Sequence, residues 1–303
     1  MDVFLVLNKI ISKFESNFNL DEILINGTRS MVCIDSEQVT HLSPFDSAYQ
    51  IRSWMQGFAK MQGVRLDPVE PVAGGSYFHS KLGLMFRWHF LLPPIADLGG
   101  LISFRRHRLD EIGLSSFDSW AMFESVLDEG SNRPLFICGP TGAGKTSFMV
   151  AWLKKYFRDK RVVLIEKLAE IPPIEPHWIR LLERQANLEG IGKFSMNRCV
   201  QEGLRLRPDL IVVGEVRGDE SVALFQSFMS GHGGAAATMH VASPHLIITR
   251  LVQLASEITE SFWSACFNVV QPMAIMLERG TPPRIEGVYA WKDSCFTSFS
   301  VQK

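Results

Sequence analysis

Hydrophobic positions in the first hundred residues alternate between helical and extended patterns. Residues 1–19 predict an amphipathic helix, residues 20–42 predict short strands with a turn at Asn26-Gly27, and residues 46–62 predict a second helix. Residues 63–104 alternate strand-like pieces with prolines and glycines that favour turns. This mixture predicts an α+β domain. The side chains spaced for burial on the two helices are Phe4, Leu7, Ile10, Ile11, Phe14, Tyr49, Ile51, Trp54, Met55 and Phe58.

The pattern changes beyond about residue 116. Short, wholly apolar runs now alternate with helical segments, which is typical of an α/β fold with a mostly parallel sheet. We therefore predict one domain at residues 1–104, a linker at 105–116, and a second domain at 117–303 with helical segments in its C-terminal part. The apolar runs that predict strands lie at 135–138, 161–165, 210–213, 235–239, 273–277 and 285–289.

A glycine-rich segment follows the first of these apolar runs and leads into a helical pattern. Its sequence fits the G-x-x-x-x-G-K-[ST] phosphate-binding motif in the strand–loop–helix setting that the motif requires. The glycines let the backbone come close to a ligand, and the N–H groups at the start of the helix point toward phosphate oxygens. The residues concerned are Gly139, Pro140, Thr141, Gly142, Ala143, Gly144, Lys145 and Thr146, followed by Ser147.

Two residues of this phosphate loop carry specific chemistry. The Lys145 ammonium is predicted to reach the β- and γ-phosphates of a nucleotide, and the Thr146 hydroxyl is predicted to bind Mg²⁺. The motif therefore predicts a site for ATP and Mg²⁺. A glycine-rich turn that binds nothing is the structural alternative, and the flanking strand and helix disfavour it.

Three of the other predicted strands end on polar side chains, namely Glu166, Glu215 and His240. Because ligands in open α/β sheets lie beyond the carboxyl ends of the strands, these residues and Lys145 are expected to converge on one crevice. Glu215 is a candidate for orienting the attacking water or holding the metal, and Glu166 is a second candidate. Each could instead be an ordinary solvated glutamate, and the sequence leaves open which carboxylate activates water.

His232 and His240 flank a segment of small residues at 233–237. A lone histidine is more often structural, but two around a glycine-rich turn, with one at a strand end, favour a functional role. Because a neutral imidazole donates one hydrogen bond and accepts another, the pair is a candidate sensor of the γ-phosphate.

The composition of the chain bears on the partners and the location that we expect for the protein. The chain has 303 residues, a hydrophobic fraction of 46% and a formal net charge of −1. This near-neutral charge, without a basic–aromatic stripe, predicts no nucleic-acid partner. No apolar run approaches the roughly 20 residues that span a bilayer, and nothing resembles a signal peptide. We therefore expect a soluble, cytoplasmic protein whose membrane contact is peripheral.

These segments together resemble the type II/IV secretion ATPase superfamily, most closely the branch that serves Tad (tight-adherence) pili and type IV secretion. The phosphate loop matches its Walker A motif, and residues 204–218, with the Gly-Glu ending at Glu215, match its Walker B stretch. Residues 164–170 match its Asp box, and residues 230–240 match its His box. The resemblance covers most of residues 20–260.

The resemblance implies a RecA-like P-loop ATPase domain preceded by a smaller, PAS-like N-terminal domain. It implies a homohexameric ring that docks peripherally on inner-membrane platform proteins of a pilus or secretion machine. Glu215 and Glu166 correspond to the Walker B and Asp-box glutamates, and His232 and His240 correspond to the His-box pair. Arg105 corresponds to the N-domain arginine near the nucleotide.

One position departs from the family pattern, because Lys167 stands where aspartate is usual and reverses a charge beside the site. The sequence also lacks the four-cysteine metal module of the type II branch. The predicted function is Mg²⁺-dependent ATP hydrolysis that powers pilus assembly, pilus retraction or protein secretion. Two alternatives stay open: a RecA-like nucleic-acid translocase, and a nucleotide-gated scaffold with little turnover, which Lys167 suggests.

Overall fold

The structure, a computed structural model, contains two compact units that are each organised around a sheet of their own. The chain divides near residue 108, and a short segment at 191–193 is grouped with the first unit. The residues that the structure describes are 3–17, 19–35, 37–82, 84–107, 113–171, 174–184, 186, 191–218, 220–229, 234–255 and 257–299.

The first unit combines two helices with a six-stranded sheet. Its elements are α1 (Val3–Ser16), β1 (Glu22–Asn26), β2 (Ser30–Ile34), β3 (Gln38–Leu42), α2 (Ala48–Met61), β4 (Val72–His79), β5 (Leu84–Leu91) and β6 (Leu101–His107). The strand order is β3-β2-β1-β6-β5-β4, and every neighbouring pair is antiparallel.

Aromatic side chains fill the space between the helices and one face of this sheet. Along β5, the buried Phe86, Trp88 and Phe90 alternate with exposed residues, so one face of the strand is covered. The ring centroid of Trp54 on α2 lies 5.7 Å from that of Phe90. The ring centroid of Phe14 on α1 lies 4.8 Å from that of Phe86, so both helices pack on this face.

Both predicted helices and the predicted hairpin of this unit are present, but two of the predicted core residues are wrong. Phe4 is 57% exposed and Tyr49 is 74% exposed. At 100° per residue, Tyr49 lies on the opposite side of α2 from its buried stripe, and Phe4 lies at the edge of the stripe on α1. Val6 is buried on α1 in addition to the predicted side chains.

The second unit is built on an eight-stranded sheet. Its elements are α3 (Trp120–Glu129), β7 (Leu135–Cys138), α4 (Lys145–Tyr156), β8 (Val162–Glu166), β9 (Trp178–Leu182), α5 (Met196–Leu204), β10 (Leu210–Val213), α6 (Glu220–Met229), β11 (Ala235–Met239), α7 (Ile247–Leu254), α8 (Glu260–Val270), β12 (Met273–Glu278), β13 (Arg284–Lys292) and β14 (Cys295–Ser298). The strand order is β14-β13-β12-β7-β11-β10-β8-β9.

Six neighbouring strands of this sheet, from β12 to β9, run parallel, whereas β13 and β14 join antiparallel. Every residue of β7, β8, β10 and β11 is buried, as expected for parallel strands covered on both faces. The six predicted strands are confirmed. Sequence reasoning missed both edge strands, β14 and β9, and the apolar run of β9 is interrupted by Arg180.

The parallel arrangement has a direct consequence for function, because it gathers the carboxyl ends of β12, β7, β11, β10 and β8 along one edge. This is the edge at which open α/β sheets bind ligands. Among the described helices, none is both long and apolar enough to cross a bilayer.

Candidate nucleotide-binding site

The phosphate loop forms the turn between β7 and α4 at the carboxyl edge of the parallel strands. Gly139, Gly142 and Gly144 have φ angles of 143°, 79° and 81°, which side-chain-bearing residues rarely adopt. Helix α4 begins at Lys145, directly after Gly144. The first N–H groups of such a helix have no partner within the helix and face the loop, so this turn is suited to holding phosphate.

Gly139 has a second reason to be glycine. A Cβ atom placed on it would lie 2.3 Å from the carbonyl oxygen of Leu277 in β12. We expect Gly139→Ala to lower the free energy of unfolding by about 2–4 kcal/mol, because a strained φ and a steric clash add together. Chemical denaturation measures the loss.

Gly63→Ala is the matched control for this variant. Gly63 also has a positive φ, of 70°, but an added Cβ there meets nothing within 4 Å. The control therefore carries the strain of a positive φ without the clash. Equal losses of stability in the two variants would contradict a steric role for Leu277.

Lys145 is the buried cation of the site, with 7% of its surface exposed. Its Nζ donates to the carbonyl oxygens of Gly139 and Pro140, both at 2.9 Å, and lies 3.3 Å from Nδ1 of His240. Burial lowers the pKa of Lys145, and the negative charge of Glu215 acts in the opposite direction. The three N–H donors of Lys145 all lie at the phosphate loop, where the oxygens of a bound phosphate would replace some of their present partners.

Glu215 and His240 extend this arrangement. Nε2 of His240 lies 3.3 Å from Oε1 of Glu215, and Nη2 of Arg217 lies 2.5 Å from Oε2 of Glu215. Because a lysine ammonium can only donate, Nδ1 of His240 accepts and the ring proton lies on Nε2, facing Glu215. Burial lowers the pKa of His240 and the charge of Lys145 acts in the same direction, which favours the neutral ring. The structure thus brings Lys145, His240 and Glu215 together.

Two hydrogen bonds tie the segment that carries Glu215 to the strand that precedes His240. The Thr238 hydroxyl on β11 donates to the carbonyl oxygen of Gly214 at 2.5 Å. The N–H of Val216 donates to the carbonyl oxygen of Thr238 at 3.0 Å. Glu215 is therefore flanked on both sides by bonds to the same residue of β11.

Glu166 lies at the end of β8 but is held by different partners. It is 2% exposed, and its Oε1 accepts from the backbone N–H groups of Glu170 and Ile171 at 3.0 and 2.9 Å. A Cβ on Gly214 would lie 3.1 Å from Cγ of Glu166, so this side chain packs against the residue that precedes Glu215. The Glu166 carboxyl closes the turn after β8 and supports the end of β10.

Burial raises the pKa of Glu166 to about 7. Between its ordinary value of 4.5 and this raised value, the folded protein binds more protons than the unfolded chain, so the stability from this group falls as pH rises. We expect Glu166→Gln to abolish this dependence. The difference in free energy of unfolding between the wild type and the variant should then change by up to about 3 kcal/mol between these two pH values. Denaturant titrations at the two pH values measure this change. If the free energy of unfolding depended on pH equally in both proteins, the expectation would be contradicted.

Thr146 and Ser147 follow Lys145 in the first turn of α4 and are half-buried. Hydroxyl and carboxylate oxygens are donors that Mg²⁺ accepts, and the Thr146 hydroxyl and the Glu215 carboxylate supply both kinds at this edge of the sheet. Mg²⁺ usually keeps several waters and takes phosphate oxygens as further ligands. The chemistry of these donors therefore fits Mg²⁺.

Two of the predicted site residues are not among the described residues of the second unit. Arg105 lies in β6 of the first unit, within the segment predicted as a linker, and it is exposed beside the buried Phe104. Its role near the nucleotide stays a prediction. His232 lies outside the described residues, as do residues 230, 231 and 233 of the predicted His box.

Two arginines that were not among the predicted site residues also lie here. Arg217 pairs with Glu215, and Nε of Arg279 donates to the carbonyl oxygen of Thr141 at 2.6 Å. Arg279 follows β12, which runs parallel to β7. Ligands in open α/β sheets lie beyond the carboxyl ends of the strands, and this argument applies to Arg279 as it does to Glu215. The position of Arg279 after a predicted strand was therefore the signal in the sequence.

Residues 103–277 match the sequence profile of the family described as "Type II/IV secretion system protein". The match covers more than half of the chain and includes the phosphate loop, Glu166, Glu215 and His240. The chain belongs to this family. The resemblance that the motifs indicate is therefore confirmed for the secretion-system family as a whole.

Two relatives show how far the secretion-system similarity extends. A protein of Mycobacterium tuberculosis named for conjugal transfer is 37% identical over 213 residues, which cover 68% of this chain and 60% of that protein. VirB11 of Rhizobium radiobacter is 34% identical over 142 residues, which cover 46% of this chain and 41% of VirB11. The chain thus spans less than two thirds of the length of these curated relatives.

The fold of this secretion-system protein also occurs in a solved structure. The X-ray structure of the Legionella pneumophila ATPase DotB matches with a TM-score of 0.70 and 16% identity, over 94% of this chain and 79% of DotB. At this identity the likeness concerns the fold alone. It confirms the predicted mixed α/β architecture.

Proposed function

We propose that this chain binds ATP with Mg²⁺ and hydrolyses it at the carboxyl edge of the second unit's sheet. The observation that carries the proposal is the line of contacts from Lys145 through His240 to Glu215, beside the phosphate loop. The imidazole ring of His240 has Lys145, a cation suited to phosphate, on one side. On its other side lies Glu215, a carboxylate able to position water. Similarity in fold to DotB, which is named an ATPase, supports the proposal.

In the proposed reaction, the loop amides and Lys145 hold the β- and γ-phosphates, and Thr146 helps to hold Mg²⁺. The bound Mg²⁺ would neutralise part of the charge on the phosphate oxygens. Glu215 orients a water molecule toward the γ-phosphorus and accepts its proton, while the new P–O bond forms and the bond to the ADP oxygen breaks. His240, with His232, is proposed to respond to the γ-phosphate.

The choice between the two carboxylates follows from their surroundings. Glu215 contacts His240 and Arg217 at the loop, and its side chain is 25% exposed, so water can reach it. Glu166 is 2% exposed and is engaged by backbone N–H groups of its own turn. We therefore assign water activation to Glu215 and assign to Glu166 the support of the strand ends.

We further propose that the protein acts as a homohexameric ring, located in the cytoplasm and docked on inner-membrane platform proteins. Family membership supports this motor role in pilus assembly, pilus retraction or secretion. We propose the branch that serves Tad pili and type IV secretion, and the similarity to VirB11 and to a protein named for conjugal transfer supports its secretion side. The proposal includes a PAS-like domain at residues 1–104, a linker at 105–116 that begins with the nucleotide-binding Arg105, and a RecA-like domain at 117–303.

A steady-state phosphate-release assay, with and without Mg²⁺, tests the activity. We expect turnover of ATP that depends on Mg²⁺, and native mass measurement is expected to show six copies of the chain. Tight ATP binding without phosphate release would instead favour the nucleotide-gated scaffold. Stimulation of turnover by DNA or RNA, fading as salt is added, would favour the nucleic-acid translocase.

A further inference from the structure

The end of β12 and the segment that joins it to β13 lie along the phosphate loop. The Leu277 carbonyl oxygen faces Gly139, 2.3 Å from the position of an added Cβ. Nε of Arg279 donates to the Thr141 carbonyl oxygen at 2.6 Å. Cγ of Pro283 lies 3.3 Å from the position of a Cβ on Gly144. Residues 277–283 therefore meet the phosphate loop near its beginning, its middle and its end.

This β12–β13 segment is anchored at both of its ends. β12 pairs in parallel with β7, the strand that leads into the phosphate loop. At the other end, the N–H of Asp118 donates to the carbonyl oxygen of Pro283 at 2.9 Å, and the N–H of Ile285 donates to the carbonyl oxygen of Asp118 at 3.0 Å. The fold of the second unit therefore sets the place of Arg279 beside the phosphate loop.

Among the residues that the structure describes, the guanidinium of Arg279 has one hydrogen-bond partner at this place, the carbonyl oxygen of Thr141. Arginine carries five N–H donors in a planar fork, of which the Thr141 carbonyl takes the one on Nε. The neighbouring carboxylates of Asp118 and Glu278 pair with Arg284, at 3.7 and 4.0 Å. The charge of Arg279 also helps to lower the pKa of Lys145, after the larger effect of burial. Arg279 thus adds a second positive charge to the loop that holds Lys145.

We propose that Arg279 is a phosphate-binding residue of this site, supplied by the same chain from the β12–β13 segment. The Thr141 carbonyl holds the guanidinium in position through Nε, and the two terminal nitrogens bind the polyphosphate of a nucleoside di- or triphosphate. The planar fork of arginine suits phosphate oxygens, which accept from two N–H groups at once. The inference rests on the proposed binding of ATP.

A purely structural role for Arg279 makes a different prediction. If Arg279 only supported the Thr141 carbonyl, a neutral side-chain donor would suffice, and Arg279→Gln would behave as the wild type. If the positive charge binds phosphate, Arg279→Lys would retain much of the affinity and Arg279→Gln would not. The two variants therefore separate the two roles.

The test is the equilibrium binding of a fluorescent ATP analogue and of ADP to the full chain. Because a hydrogen bond to a charged group contributes about 1.5–3 kcal/mol, we expect Arg279→Ala to weaken both affinities by roughly tenfold or more. Arg279→Lys should restore most of the affinity, and Arg279→Gln should resemble the alanine variant. Arg284→Ala is the matched control, because Arg284 is the first residue of β13 and pairs with the carboxylates of Asp118 and Glu278. Its affinity should equal that of the wild type.

Unchanged affinity in Arg279→Ala, or full recovery in Arg279→Gln, would overturn the inference while leaving the proposed ATPase intact. A wild-type chain that binds no nucleotide would overturn both. Thermal unfolding of each variant establishes that it is folded. If the alanine variant does not fold, the comparison of Arg279→Lys with Arg279→Gln decides the question.

Discussion

Lys145→Ala is expected to lower the rate of phosphate release by about a hundredfold to a thousandfold, the usual effect of removing one preorganised charge or donor from a transition state. Lys145 is the buried cation of the phosphate loop, and its Nζ contacts the loop carbonyls and His240. Alanine would remove the positive charge that we propose to lie beside the γ-phosphate, and the donor that contacts the ring of His240. Steady-state phosphate release at saturating ATP measures the effect.

Lys160→Ala is the matched control, because Lys160 is exposed just after the end of α4. It removes the same charge from the same chain without touching the phosphate loop, and its turnover should equal that of the wild type. If both variants released phosphate at the same rate, the assignment of Lys145 would be wrong. A denaturation curve separates loss of chemistry from loss of fold.

Glu215→Gln is expected to bind ATP with near-normal affinity yet hydrolyse it about a hundredfold to ten-thousandfold more slowly, the range for losing a general base. Glutamine keeps the shape and one acceptor oxygen that can face His240, but it cannot take a proton from water. Rapid-quench measurement of a single turnover, beside equilibrium binding, measures the two quantities separately.

Glu166→Gln is the comparison that makes this experiment decisive. The glutamine oxygen can still accept from the N–H groups of Glu170 and Ile171, so turnover should stay within a few-fold of the wild-type rate. The opposite result, with slow hydrolysis in Glu166→Gln and normal hydrolysis in Glu215→Gln, would transfer the role of base to Glu166. Loss of the Glu215–Arg217 pair should have little effect on stability, because Arg217 is 58% exposed.

The sequence was informative wherever function depends on local spacing. The glycines, Lys145 and Thr146 form one continuous motif, and the strand that precedes it is short and wholly apolar, so its place in the fold could be predicted. The ends of β8, β10 and β11 were predicted from short apolar runs that stop at a polar residue. In each case the information lies within a few neighbouring positions.

The environment of each side chain could not be predicted in the same way. Glu166 and Glu215 occupy equivalent places at strand ends, but one is buried among backbone amides and the other faces His240 and Arg217. That difference depends on turns and side-chain directions, which periodicity does not contain. The position of Arg279 at the end of a predicted strand marks it as a candidate, but its contact with Thr141 depends on the pairing of β12 with β7, which joins distant parts of the chain.

The two hydrogen bonds that Thr238 makes, one as donor and one as acceptor, hold the segment after β10 against β11. One bond holds Gly214 and the other holds Val216, so Glu215 cannot shift along β11 without breaking one of them. His240 follows β11 directly and contacts both Glu215 and Lys145. If a bound phosphate displaces the His240 ring, Glu215 is expected to move with it, because both residues are tied to the end of β11. The proposed sensing and the proposed hydrolysis would then depend on the same strand end.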